Sequence, residues 1–411
     1  SISGTVDEPE SLYLVADSIG VDSGAIIDLS GDLTMLAQES GTTNPADPEI
    51  EAIQIGTNAA ITAAGSVTLK AKGGATASIS LLSGSQITAS QVTLSSLSEA
   101  EGEASITDLS WLDPYKDLSA SIAINNAQIS ALSGDIDITA HVVQYKPQLS
   151  NGIFESKTSY ASIAVTESSL NASGDLSVMS SSEVDIEVDG FYLPIRVAVV
   201  NTDAKADTQV GGESILTAGG DLTISADVDV VAKAIAKAAS VDVLIPATGA
   251  FALTDATNIS KAEVGGTTQL NAGGDLIIHA ENNLDVNNVA DGYLVGEAGG
   301  GASFALGFID STTHAGIGDN ARIIAAQNIL IGADTSNLID SPAQSAVSGY
   351  AQAASDYVDQ HDHMSDQSKA EVGSAITNLG GAAGSGSGAL QVAGAFTYVG
   401  FNNDTLAYAD N

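Results

Sequence analysis

Apolar residues fall on every second position through most of this chain, in runs that stop at small polar or Gly-containing pairs. Leu222/Ile224, Ile136/Ile138, Val67/Leu69 and Ile122/Ile124 are such alternating pairs. A period of two marks strands with one buried face. The runs also repeat. Ile27-Asp28-Leu29-Ser30-Gly31-Asp32-Leu33-Thr34-Met35 returns as Leu170-Asn171-Ala172-Ser173-Gly174-Asp175-Leu176-Ser177-Val178, and again around Gly65-Ser66 and Gly134-Asp135. The clearest copies carry Gly220-Asp221 and Gly274-Asp275, and a decayed copy lies near Asn328. Repeats spaced by tens of residues mean stacked units, because none of them can bury its own apolar face alone.

The pattern therefore predicts an all-β chain, a parallel β-helix of right-handed type, with one loop or helical insertion. The Gly-Gly and Gly-Asp pairs fit corners that need φ > 0. Asp221, Asp275 and Asn328 stand 54 and 53 residues apart. A coil of three short strands takes about 20 to 25 residues, so each such unit predicts two coils. Roughly 18 coils at 4.8 Å then give a rod on the order of 90 Å.

Three segments follow: a solenoid shaft over 1–338, an insertion over 339–389, and a resumed solenoid over 390–411. Ser341 to Val358 reads as an Ala-rich helix, and Gly380–Gly388 as a Gly/Ser-rich loop. A smaller departure spans Glu99–Asp117 and holds the single tryptophan, Trp111. The chain starts at Ser1 without a methionine, and neither end reads as a polar cap. The first suggests a mature chain or an excised piece; the second fits a segment of a much longer protein or copies that join end to end.

Charge narrows the partners. The 51 acidic and 12 basic residues leave a formal net charge of −39. No Lys/Arg cluster exists to neutralise phosphates, which excludes nucleic acid, and anionic membranes repel such a chain. No apolar run approaches the roughly 20 residues of a membrane helix, so no membrane insertion is expected. The chain has no cysteine.

Ser303-Phe304-Ala305-Leu306, followed by Thr313-His314-Ala315-Gly316-Ile317-Gly318-Asp319-Asn320-Ala321 and Ile324-Ala325-Ala326, resembles the repeats of very large bacterial surface proteins. These are the filamentous-haemagglutinin-like and leukotoxin-like filamentous adhesins. The likeness covers most of 20–335 and 390–411. It implies a parallel β-helix shaft that is exported and then displayed or released. It transfers no binding residue, because the motif encodes coil corners.

Two sets of side chains could do chemistry. The repeated pairs Gly31-Asp32, Gly134-Asp135, Gly174-Asp175, Gly220-Asp221 and Gly274-Asp275 are structural turns in the simpler reading. In the other reading their carboxylates form a column of Ca²⁺ ligands. If copies recur every second coil, neighbouring carboxylates stand roughly 10 Å apart, too far for one ion to bridge. Asp356, Asp359, His361, His363 and Asp366 are the densest imidazole–carboxylate group and suit zinc or a similar ion. A solvated acidic loop is the simpler reading there too.

Catalysis finds little support. Only Arg196 and Arg322 could join the lysines in steadying an anionic sugar, no Gly-x-Ser-x-Gly elbow occurs, and the five His have no triad spacing. The expectation is a non-enzymatic, cofactor-free, structural and adhesive solenoid at the cell surface or outside the cell, a shaft of a giant surface protein or filament. Its partners would be itself or flanking repeats through open ends, and cell-surface or matrix glycans. The alternatives are a self-assembling, calcium-dependent filament or sheath subunit and, third, a carbohydrate-active enzyme.

Overall fold

A computed structural model describes residues 1–8, 10–38, 50–101, 117–145, 149–152, 154–190, 195–240, 247–294, 299–347 and 391–410. The described residues form strands and turns and contain no helix. Every strand pairing is parallel, and the strands fall into three sheets that the chain visits in fixed rotation. The chain is a parallel β-solenoid.

Each turn of the solenoid contributes one strand to a narrow sheet, one to a first broad sheet and one to a second broad sheet. The narrow sheet stacks nine strands of four residues each, from Thr5–Glu8 to Arg322–Ala325. The broad sheets widen along the axis. In the first, strand length grows from five residues at Leu12–Ala16 to 19 at Leu222–Ser240 and Leu276–Leu294. In the second it grows from four at Ser18–Val21 to 19 at Gly299–Ile317 and Gln391–Ala409. The result is a tapered rod.

One coil fills one repeat, which corrects the expectation of two. Asp221 and Asp275 are direct neighbours across the ladder, with Leu222 paired to Leu276 and Leu216 to Leu270. The broad strands absorb the residues that a second coil would have used. Nine coils at the strand spacing give a rod of about 40 Å, less than half the expected length. The helix expected from Ser341 to Val358 is overturned over its first part, where Ala343–Val347 is a strand paired to Ala290–Leu294; residues 348–358 lie outside the described residues.

The interior follows from that alternation. Along Ile195–Gly211 every second residue is buried. Near the narrow sheet the inward columns are large: Ile27, Ile61, Ile87, Ile129, Leu170, Leu216 and Leu270 stack on one another. Fully burying one such side chain stabilises by roughly 1.5–3 kcal/mol. Where the broad sheets face each other the inward residues shrink to Ala, Ser, Thr and Asn. Ala232, Ala234, Ala236 and Ala238 lie on one sheet, and Ala250, Ala252 and Ala256 on the other.

Candidate functional site

The recurrent Gly-Asp pair sits where the chain passes from the narrow sheet to the first broad sheet, and the copies form one column. The backbone N–H of Asp175 donates to Asp135 Oδ1 at 2.8 Å, that of Asp221 to Asp175 Oδ1 at 2.8 Å, and that of Asp275 to Asp221 Oδ1 at 2.8 Å. Asn328 N–H and its side-chain amide both donate to Asp275 Oδ1 at 2.9 Å. At the narrow end Ser66 N–H donates to Asp32 Oδ1 at 2.6 Å, and Asp32 N–H donates to Ser11 Oγ at 2.8 Å. The Ser66 backbone and hydroxyl donors hold the Asp32 carboxyl below the usual carboxylate range.

Each Asp thus caps the coil that follows it. The adjacent carbonyls and amides complete the clamp: Gly220 N–H donates to Gly174 O at 2.9 Å, and Leu176 N–H to Asp221 O at 2.9 Å. The glycine makes room for the cap. A Cβ on Gly174, Gly220 or Gly274 would collide with the carboxylate of Asp135, Asp175 or Asp221. At Gly134 the preceding coil carries Gln91 instead, and a Cβ would meet nothing nearer than 3.2 Å.

These glycines do not supply positive φ, which corrects the reading of the motif. Positive φ belongs to a second column, at the turn that enters the narrow sheet: Gly4, Gly24, Asn58, Gly84, Asn126, Glu167, Gly212, Gly266 and Asn320. Glycine and asparagine tolerate this region, whereas Glu167 at φ 51° pays a strain cost there.

Asp32, Asp135, Asp175, Asp221 and Asp275 therefore share one edge, with 135, 175, 221 and 275 in successive coils. Carboxylates in adjacent coils stand about one strand spacing apart, roughly 4.8 Å, instead of the 10 Å expected. In each, Oδ1 is already engaged by an N–H. Among the described residues no group of three or more His, Asp or Glu has a metal-holding arrangement. Asp356, Asp359, His361, His363 and Asp366 lie outside the described residues.

Among the described residues, further charge lies on the outer faces of the broad sheets. On the outside of the first broad sheet Asp227, Glu281 and Asp334 form one column, and Glu183 lies beside Asp229 in the next. Burial and then Glu281 raise the Asp227 carboxyl; burial and then Glu183 raise Asp229. His279 lies 3.6 Å from Glu281 and 3.9 Å from Asp334. On the second broad sheet His314 bridges Glu263 at 3.8 Å and Asp404 at 3.1 Å. Burial lowers the His141 imidazole pKa, and its Nδ1 meets the Ser181 hydroxyl.

Three features escaped the sequence reading. A buried polar seam ties the broad sheets together: Thr208 Oγ1 donates to Ser225 O at 2.7 Å, Ser260 Oγ to Ala226 O at 2.6 Å, and Asn282 Nδ2 to Ser311 Oγ at 2.9 Å. Its signal was present as Ser, Thr and Asn on the apolar phase of the alternation. A shallow cavity of about 240 Å³ runs along the positive-φ column between Gln86, Gln128, Glu167 and Glu213. Finally, Phe304, Phe308, Phe396 and Tyr398 cluster on the outside of the second broad sheet. Their phase against the buried neighbours Ser303 and Ala305 marks them as outward-facing.

Compared with models of known protein families, with curated proteins and with solved structures, the chain matches none of them.

Proposed function

We propose that the chain is a structural and adhesive β-solenoid that works outside the cell, as a shaft segment of a giant surface protein or filament of the filamentous-adhesin type. The observation that carries this reading is the continuity of the stack. Three parallel ladders run from the first coil to the ninth, and the Asp caps join most successive coils along one edge. Backbone ladders locked in this way resist bending and give each coil only nearest-neighbour dependence. The net charge of −39 opposes sideways pairing of sheets and favours solubility in a saline medium.

Two measurements test the reading. Electron microscopy with calcium and with chelator should show isolated tapered particles about 40 Å long under both conditions. Unbranched filaments would favour the self-assembling subunit instead. Antibody labelling of intact source cells should find the chain outside; labelling only after lysis would sink the extracellular role.

A further inference from the structure

Five of the seven phenylalanines, Phe251, Phe304, Phe308, Phe396 and Phe401, lie in the last three strands of the second broad sheet. Phe304, Phe308, Phe396 and Tyr398 point outward and remain 43%, 45%, 50% and 44% exposed. The rings pack edgewise on one another, Phe304 to Phe396 at 6.2 Å between centroids and Phe308 to Tyr398 at 5.8 Å, both tilted by about half a right angle. Coil stacking does not need them, because the interior is filled by the opposite phase, Ser303, Ala305, Ile309 and Ser311. An apolar patch on an otherwise polar outer face marks a contact surface.

The occupant is read from charge. Asp255 is the direct cross-strand neighbour of Phe308, about 4.8 Å away along the ladder, and Asp310 follows Phe308 by two residues on the same face. Asn402 Nδ2 donates to Asp310 Oδ1 at 3.0 Å and fixes that carboxylate. A cation above the Phe308 ring would lie within about 6 Å of the ring centre and within reach of both carboxylates. A second copy is a poor occupant. It too carries −39, and four half-exposed rings offer on the order of 400 Å² against the roughly 800 Å² per partner of a stable interface.

We propose that this face, centred on Phe308 between Asp255 and Asp310, docks a basic polypeptide segment in which Lys or Arg alternates with apolar residues. The cation sits over Phe308 and the apolar side chains cover Phe304, Phe396 and Tyr398. This goes beyond the shaft role, which rests on the ladders and stands whether or not the surface binds.

The test uses the full chain and two synthetic peptides of about nine residues. They carry equal charge, one alternating Lys with Phe and Leu, the other alternating Lys with Ser. Fluorescence anisotropy at about 0.15 M salt should show the first bound at least tenfold more tightly. F308S/Y398S, checked by circular dichroism and melting, should remove that preference and leave weak, salt-sensitive binding of both. D255N/D310N keeps the rings and should weaken both peptides at least threefold beyond what D285N, on the other broad sheet, does. A preference that is absent from the starting protein, or that survives F308S/Y398S, overturns the proposal. So does Phe308-dependent retention on an insoluble neutral glucan without peptide preference, which would assign the surface to carbohydrate. Phe308-dependent dimerisation would assign it to a second copy and equally refute the proposal.

Discussion

The pairing of each glycine with the carboxylate of the preceding coil can be tested as a coupling energy. Asp275 N–H donates to Asp221 Oδ1 on an exposed edge, so removing that acceptor in Asp221→Ala should cost about 1 kcal/mol, as at a helix N-cap. Gly274→Ala drives a Cβ into the same carboxylate and expels it. The hydrogen bond is lost, and the new methyl still stands 3.3 Å from the Gly220 carbonyl carbon. Reduced freedom of the unfolded chain returns part of this, for a net cost of about 1–2 kcal/mol. Independent effects would sum to about 2–3 kcal/mol in the double variant. The structure predicts about 1–1.5 kcal/mol instead, because with Asp221 truncated the obstacle is gone and the bond cannot be lost twice. Gly273→Ala is the control. Its Cβ meets the backbone carbonyl of Gly219, which no side-chain truncation moves, so its cost should be the same in both backgrounds. Urea unfolding followed by circular dichroism measures all six proteins, the starting chain included. A coupling within about 0.4 kcal/mol of zero between positions 221 and 274 would refute the reasoning.

Burial, joined by like charge at all but Asp291, raises the carboxyl pKa values of Asp137, Asp185, Asp227, Asp229 and Asp291 in the folded state. Between about pH 4 and those raised values the native chain binds more protons than the unfolded one, so stability falls as pH rises through them. The lowered Asp32 acts oppositely, but its contribution is lost only below about pH 4. The buried His141, whose pKa is lowered, costs stability as pH falls through about 6.5, whereas the raised carboxyls return stability as pH falls further towards about 4, a gain that Asp227→Asn should reduce; a melting temperature that falls over that lower range in the starting protein, or an Asp227→Asn profile that is unchanged, would contradict this. Calcium at about 5 mM should move the melting temperature by less than about 2 °C, since each ladder carboxylate already holds an N–H; a shift above about 5 °C would reinstate a metal column. Glu167→Gly should stabilise by roughly 0.5–1 kcal/mol by relieving the left-handed backbone, and Gly212→Ala in the same column should destabilise, both read by urea unfolding.

The repeat was legible because the Gly-Asp pair recurs in five of the nine coils and leaves recognisable variants at Gly65-Ser66 and Asn328. Coil count was not. Most strands end after five or six residues, and Leu222–Ser240 runs for 19 without a Gly, Pro or Asn to punctuate it. Its alternation through Val228, Val230, Ala232, Ala234, Ala236 and Ala238 is regular, but alanine carries too little hydrophobic contrast to announce a single long strand. The glycines misled for a related reason. A glycine needed for close approach and one needed for positive φ look alike in a sequence, and only the atoms of the preceding coil separate Gly220 from Gly212. Glu167 offers no compositional sign of its backbone at all. The outward rings were visible as phase, yet the neighbours that turn them into a surface come from residues 53 and 92 positions away, Asp255 and Phe396.

Peeling the rod open would not meet equal resistance along its length. Removing the first coil from the first broad sheet breaks a register of five paired residues, Leu12–Ala16 on Leu33–Ala37, whereas separating Leu222–Ser240 from Leu276–Leu294 breaks 19. Force applied along the chain therefore finds a graded series of yield points, weakest at the narrow end and stiffening coil by coil. A tether built this way gives ground in small early steps and spares its wide end, where the aromatic face lies.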